Sequence, residues 1–138
     1  MRQLSQQQEN NAFAVLQGHK YISLTTFRKS GKPVSTPVRF VVESGKLYVS
    51  TRTKAGKVRR IHSNPKVQLA PCKLRGKVVG PTVEAVARIL SVDEEVVARS
   101  ALKRNYGWMM RVGNFFSNLR GDSGEEVYLE IVPVKEKR

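Results

Sequence analysis

At 138 residues, with 40% of them hydrophobic, the chain can bury the core of one domain, which excludes wholesale disorder. Its 25 Lys and Arg against 11 Asp and Glu leave a net charge of +14, which predicts attraction to nucleic acid, an anionic membrane or a phosphate- or carboxylate-rich ligand. The lone Cys72 excludes an intrachain disulfide, and the apolar runs are too short to span a membrane, so a soluble cytoplasmic protein is expected.

The first half of the chain is predicted to be mainly strands. Residues 1–12 are rich in Gln and Asn, and we expect them to be the flexible start of a single domain spanning residues 1–138. A short helix over about residues 8–16 is predicted to end at Gly18. Alternating β-branched and aromatic residues then predict strands at residues 21–27, 34–42 and 47–52, and Pro37 predicts an irregular point or a sheet edge.

The second half is predicted to alternate helices and strands. Residues 53–62 are predicted to be helical because Asn64 and Pro65 supply a stop. Strands follow at residues 66–72, 82–92 and 125–134. Between the last two, we expect a helix capped by Asp93 and running to about Lys103, then a helix over about residues 106–119 with one apolar stripe.

The strands are linked mainly by tight turns, which favours hairpins over parallel crossover units. The predicted fold class is therefore mostly β with α (α+β). Its expected architecture is a six-stranded antiparallel barrel with peripheral helices.

The basic stretch TRTKAGKVRRIHSNP, Thr51–Pro65, has three interpretations: a solvated helix face, a polyanion-binding patch, or a compact phosphate site at the junction of strand and helix. In the third, the N–H groups and the dipole of the first helical turn favour an anion. At about 100° per residue, Lys57 lies about 40° from Ile61 on the packed stripe, whereas Arg59 and Arg60 point further round. Lys57 is therefore the cation expected at a half-buried site, joined by Ser50, Thr51 and Arg52 from the preceding strand.

Catalytic and metal-binding patterns are missing from the sequence. His19 and His62 are the only histidines, and no Cys lies at a ligand spacing from either, so no metal site is predicted. No acid-base constellation is present, so no side chain is predicted to be catalytic and a bound cofactor must carry any reaction. Helix-turn-helix, zinc-finger and RNA-recognition signatures are absent, so nucleic acid is not an expected partner.

The order of these segments resembles the flavin-binding split-barrel superfamily, which contains pyridoxamine 5′-phosphate oxidase. The resemblance rests on LTTFRKSGKPVSTPV, GKLYVSTR, GKVRRI and NPKVQLAPC, in this order, and it covers residues 13–92 continuously. The greatest similarity is to the small single-domain branch that uses the deazaflavin coenzyme F-420. The expected fold is thus a split barrel.

The resemblance implies a homodimer with the cofactor in a groove at the interface and hydride transfer to a small unsaturated substrate. It implies eleven cofactor-binding residues: Pro37, Val38 and Arg39 at the isoalloxazine ring; Ser50, Thr51 and Arg52 along the ribityl-phosphate arm; Lys57 and, as a weaker candidate, Arg60 at the phosphate; and Ala70, Pro71 and Cys72 on the neighbouring strand. Many relatives carry an aromatic residue where this chain has Arg39, so the substrate preference of those relatives cannot be assigned to this chain.

Flavin mononucleotide (FMN) is the alternative cofactor, because it shares the ring, the ribityl arm and the first phosphate. The deazaflavin adds an oligoglutamate tail, which suits the charge of +14 better. The cations available for this tail are Lys54, Arg59, Arg60, Lys73, Arg75 and Lys77. A third hypothesis is a non-catalytic cofactor carrier or sensor, or a basic nucleic-acid binder on the same barrel.

Overall fold

A computed structural model describes residues 12–105 and 125–134, and the strands among them form one antiparallel sheet. Its strands are β1 (Tyr21–Phe27), β2 (Pro33–Arg39), β3 (Val41–Glu43), β4 (Lys46–Arg52), β5 (Lys66–Cys72), β6 (Val83–Ile89) and β7 (Glu126–Pro133). Helix α1 (Gly56–Ser63) connects β4 to β5, and a second helical segment, α2, occupies residues 95–105. Short 3-10 turns lie at Ala14–Leu16 and Val92–Glu94.

The sheet curls into a barrel because one bent stretch of chain supplies both of its edges. The strand order is β2-β1-β5-β6-β7-β4-β3, so β2 and β3 lie at opposite ends of the sheet. In the chain, however, only Phe40 separates these two strands. β2 therefore comes close to β4 without pairing with it, and the barrel is split at this point.

The predicted α+β class and antiparallel split barrel are confirmed, with seven strands in the described part instead of six. The difference arises at Phe40, where the predicted strand 34–42 breaks. The Phe40 side chain is buried in the core, and the backbone on either side pairs with different neighbours, β1 and β4. Pro37 lies on the edge strand β2, as predicted.

The barrel interior is filled by side chains that alternate along the strands. Burying each large aliphatic side chain contributes about 1.5–3 kcal/mol, so this interior is the main source of stability. Ile61 of α1 and two residues near the N-terminus join the same cluster. Its members are Phe13, Leu16, Ile22, Leu24, Phe40, Leu47, Val49, Ile61, Val67, Leu69, Ala85, Ala87, Leu129 and Ile131.

Helix α2 packs on the outer face of the sheet, over β3, β4 and β7. A second buried cluster joins them, formed by Val41, Tyr48, Leu90, Ala98, Ala101, Leu102 and Tyr128. Leu90 turns into this cluster, which ends β6 at Ile89 and makes the predicted strand 82–92 too long. The predicted cap at Asp93 is also wrong: the backbone N–H and the hydroxyl of Ser91 donate to the Glu94 carboxylate at 2.9 and 3.0 Å.

The flexible start over residues 1–12 and the helix over 106–119 were predictions that lie, apart from Ala12, outside the described residues. In the part that is described, no helix is long and apolar enough to cross a membrane.

Candidate functional site

The split in the barrel forms a wedge between β2 and β4. β3 pairs with β4 so that Val41 lies opposite Tyr48. The same register, continued through Phe40, would place Arg39 opposite Ser50. β2 pairs with β1 instead, so β2 and β4 diverge from Phe40 onward.

We call this wedge the split groove, with Pro37–Arg39 on one side and Ser50–Arg52 on the other. The structure thus brings together the residues predicted at the ring and those predicted along the arm. They do not all present side chains to the same space. Val38 is half-buried and packs against the core, whereas Pro37 is exposed.

The three predicted residues of β5 lie further from the groove, because β1 separates β5 from β2. Ala70 lies opposite Ser23 of β1, which in turn lies opposite Pro37. Cys72 follows two residues later on the same face, is buried, and has its thiol pKa raised by that burial. Pro71 points into the barrel and is almost fully buried. These residues therefore lie beside the groove and do not line it.

Arg39 turns away from the groove toward β1. Its guanidinium carbon lies 5.9 Å from the centroid of the Tyr21 ring, directly across the strand pair. A cation over an aromatic face is held there by the ring quadrupole. In this position, the positive charge of Arg39 lies beside the narrow end of the groove.

Ser50 has a partner that the sequence did not identify. Its hydroxyl donates to the carboxylate of Glu126 on β7. Glu126 lies directly opposite Arg52 across the β4–β7 pair, yet it does not form an ion pair with it. On this face of the sheet, β4 therefore presents the Ser50 hydroxyl and the Arg52 guanidinium, and β7 presents the Glu126 carboxylate beside them.

Helix α1 lies at the wide end of the groove and contacts both β1 and β6. Ile61 points into the core and is 2% exposed. Lys57, as predicted, is half-buried beside Ile61. Val58 and His62 lie on the other flank, where they line a cavity of 610 Å³ with Ile89. None of the eleven predicted cofactor-binding residues lines this cavity, but two of the cations predicted for the tail, Lys54 and Arg59, do.

Arg60 points toward β1, which the sequence analysis did not predict. Both arginines were predicted to lie further from the packed stripe than Lys57; Arg59 is exposed, whereas Arg60 is half-buried like Lys57. The Nε–H of Arg60 donates to the hydroxyl of Thr26 at 2.6 Å. Burial lowers the pKa of the Arg60 guanidinium, and the nearby charges of Arg28 and Arg59 lower it further.

We call Arg28, Arg59 and Arg60 the arginine cluster. Among the described residues, no carboxylate forms an ion pair with any of the three. Like charges gathered without a counter-charge repel one another, and a bound anion relieves that repulsion. The arrangement therefore suits a phosphate. The described residues contain no group of His, Cys, Asp and Glu that is placed to hold a metal ion.

Sequence analysis missed Thr26, Arg28, Gly56 and Glu126 as site residues. A signal existed for Thr26, because it occupies a core position of β1, after Ile22 and Leu24, and carries a hydroxyl. A polar group at such a position requires a partner. Glu126 gave no comparable signal, since only the pairing of β4 with β7 brings it beside Ser50.

These features define a split-barrel protein with a cluster of cationic side chains at the wide end of its split. The chain belongs to the pyridoxamine 5′-phosphate oxidase family, which it matches over residues 8–135. No protein of curated function matches the chain in sequence.

Solved structures share the fold across most of the chain. General Stress Protein 26 of Bacillus anthracis is 26% identical, with 91% of this chain and 88% of that one covered at a TM-score of 0.59. HutZ, the haem storage protein of Vibrio cholerae, is 17% identical, with coverage of 93% and 91% at a TM-score of 0.64. A FAD-binding protein of Mesorhizobium loti is 15% identical, with 91% of this chain and 87% of that one covered at a TM-score of 0.62.

Proposed function

We propose that the chain is an oxidoreductase that binds the deazaflavin coenzyme F-420 in the split groove of a homodimer and reduces a small unsaturated substrate. The observation that supports this most strongly is the arginine cluster at the wide end of the groove, without a carboxylate partner among the described residues. In a chain of this family, such a cluster suits the phosphate of a flavin-type cofactor.

The residues of the groove match the successive parts of such a cofactor. Lys57 and Arg60 hold the phosphate, and the hydroxyl of Ser50 bonds to the ribityl arm, which Thr51, whose side chain points to the opposite face of β4, contacts through its backbone. Glu126, which already accepts a bond from Ser50, accepts a further bond from a ribityl hydroxyl. When bound, the cofactor supplies the hydride, and the protein binds the ring, orients it and excludes water.

The preference for the deazaflavin rests on its carboxylate tail. A Cβ atom at Gly76 would lie 3.9 Å from the ring of Pro37, so the turn after β5 borders the groove. This turn carries Lys73, Arg75 and Lys77, all exposed. These cations attract a tail of several carboxylates.

The second candidate is an FMN-dependent oxidoreductase or FMN-binding protein of the same fold. The groove and the phosphate residues would serve FMN equally, because the two cofactors differ beyond the first phosphate. A FAD-binding protein among the structural neighbours supports a flavin as ligand. The third is a non-catalytic carrier or sensor of the same cofactor.

Titration of the purified protein with each cofactor, followed by fluorescence, tests the proposal. We expect the deazaflavin to bind more tightly than FMN, and haemin serves as a further ligand because HutZ stores haem. A preference for FMN would select the second candidate, and binding of neither flavin would remove the proposed function. Tight binding without oxidation of the reduced cofactor by any screened unsaturated substrate would indicate a carrier.

The homodimer is tested by light scattering on a sizing column, with and without the cofactor. The expected mass is twice that of the 15.5 kDa chain. A monomer that still binds the cofactor would remove the interface from the proposal and leave the groove.

A further inference from the structure

Arg60 folds back over the start of its own helix. A Cβ atom added at Gly56, four residues earlier, would lie 2.7 Å from Nη1 of Arg60 and 3.5 Å from its Cζ. Cβ atoms do not approach other heavy atoms so closely. The guanidinium therefore occupies space that is open only because residue 56 has no side chain.

Thr26 fixes the other end of this guanidinium. Its side chain is fully buried at the end of β1, and its hydroxyl oxygen accepts the Nε–H of Arg60 at 2.6 Å. The Nη1 and Nη2 groups form no hydrogen bond within residues 12–105 and 125–134. The four N–H donors on these two nitrogens are therefore available to a ligand.

The positive charges around Arg60 also favour a bound anion. Arg28 and Arg59 are close enough to lower the pKa of Arg60, and no carboxylate in the described part compensates. A guanidinium whose Nε–H is already bonded presents its two Nη groups as a planar fork, which matches two oxygens of a phosphate.

We propose that Thr26 and the missing side chain at Gly56 position the Arg60 guanidinium for the phosphate of the cofactor, and that this positioning lets the protein distinguish a phosphorylated flavin from its dephosphorylated form. The inference rests on the proposed function, because the phosphate is that of the cofactor. It makes Arg60 a principal ligand of the phosphate, equal to Lys57.

Substitution of Gly56 by Ala separates this role from a structural one. The new methyl group meets only the far end of the flexible Arg60 side chain and displaces the guanidinium. Because Ala is favoured over Gly in a helix, the Tm should be unchanged or higher by up to about 3 °C. FMN affinity should nevertheless fall about tenfold, which is the loss of one charge-assisted hydrogen bond. Riboflavin affinity should not change.

Three further variants test the same contact. Arg60→Gln should weaken FMN binding about tenfold to a hundredfold, as expected for a guanidinium that bonds a phosphate. Thr26→Val, which keeps the volume but removes the hydroxyl, should weaken FMN binding by a smaller factor, and Thr26→Ser should restore it. Arg59→Gln is the matched control: it removes the same charge from the adjacent, exposed position and should have the smallest effect.

Inorganic phosphate tests these residues without any ring. At equal ionic strength, phosphate should raise the Tm of the wild-type protein above its value in chloride, and Gly56→Ala and Arg60→Gln should abolish the difference. If this shift is present and neither the deazaflavin nor FMN binds, the proposed function falls and the inference stands. If flavins bind but FMN and riboflavin bind equally, or Gly56→Ala retains full FMN affinity, the inference is overturned and ring binding stands.

Discussion

Residues 10–83 and the rest of the chain share one barrel but differ in charge. Residues 10–83, the cationic segment, contain fifteen Lys and Arg and a single acidic residue, Glu43. All other residues, the balanced segment, contain ten Lys and Arg and ten Asp and Glu. The whole net charge of +14 therefore belongs to the cationic segment.

In the described part of the chain, every ion pair has at least one member in the balanced segment. The carboxylates of these pairs come from β3, β7, the 3-10 turn before α2 and the first residue of α2. Arg88 alone bridges Glu94 and Glu130. The arginine cluster, which lies across the barrel from these pairs in the strand order, forms none.

The excess positive charge of this protein is therefore concentrated in one part of the chain and is not distributed evenly. Solubility alone requires a net charge but no particular location for it. Here the excess lies on the elements that line or border the split groove, which carry all eleven predicted cofactor-binding residues. The balanced segment completes the barrel and takes part in every ion pair of the described residues.

The largest expected effect concerns Lys57. Lys57→Ala should weaken cofactor binding about tenfold to a hundredfold, because it removes a half-buried cation from the phosphate site. Arg59→Ala should weaken it only about twofold to threefold, since an exposed charge is screened by solvent and salt. Fluorescence titration of both variants measures the ratio. Equal and negligible effects would contradict the assignment of the site.

An intermediate effect is expected from three cations in the turn after β5. The triple change of Lys73, Arg75 and Lys77 to Gln should weaken deazaflavin binding about tenfold and reduce its salt dependence, because a carboxylate tail loses screened but additive contacts. FMN binding should not change, since FMN has no tail.

The matched control for that triple lies in the balanced segment. Changing Arg88, Arg99 and Arg104 to Gln removes the same number of charges, but from side chains that are already paired with carboxylates. Deazaflavin affinity should change less than threefold, as expected for exposed ion pairs. If both triples weaken binding equally, net charge and not its location is responsible.

The smallest expected effect is a pH dependence at the start of α2. The Ser91 backbone N–H, then Arg88 and the Ser91 hydroxyl, lower the pKa of the Glu94 carboxyl in the folded protein. A lowered folded pKa gives stability that is present above the unfolded pKa and lost as the pH falls through the folded one. Wild-type protein should therefore exceed Glu94→Gln in urea midpoint at pH 7, and the difference should shrink as the pH falls below the ordinary pKa of a glutamate. A constant difference would show that the charge of Glu94 is irrelevant.

The strands could be predicted because their local patterns were strong. The predicted bounds of the strand at Tyr21–Phe27 and of the one at Lys66–Cys72 agree with the structure residue for residue, since β-branched residues alternate and turns flank both. The break at Phe40 could not be predicted, because the local pattern of residues 34–42 is continuous. The predicted strand is divided because its first part pairs with β1 and its second part pairs with β4.

The same limit applies to the candidate site. The basic stretch and the half-buried position of Lys57 followed from helical periodicity. The inward direction of Arg60 did not, because it depends on a hydroxyl 34 residues away on β1 and on the space at Gly56. Contacts between distant segments are set by register, which local sequence does not encode.

The bend at Phe40 also restricts how this chain can vary in length. Residues 33–43 pair with β1 on one side of the bend and with β4 on the other. An insertion or deletion of one residue on either side would turn the following side chains to the opposite face of the sheet. Residues of this stretch can therefore be exchanged during evolution more readily than gained or lost. The turn after β5 lies at the surface and should accept such length changes, which would leave the groove intact while altering what binds at its border.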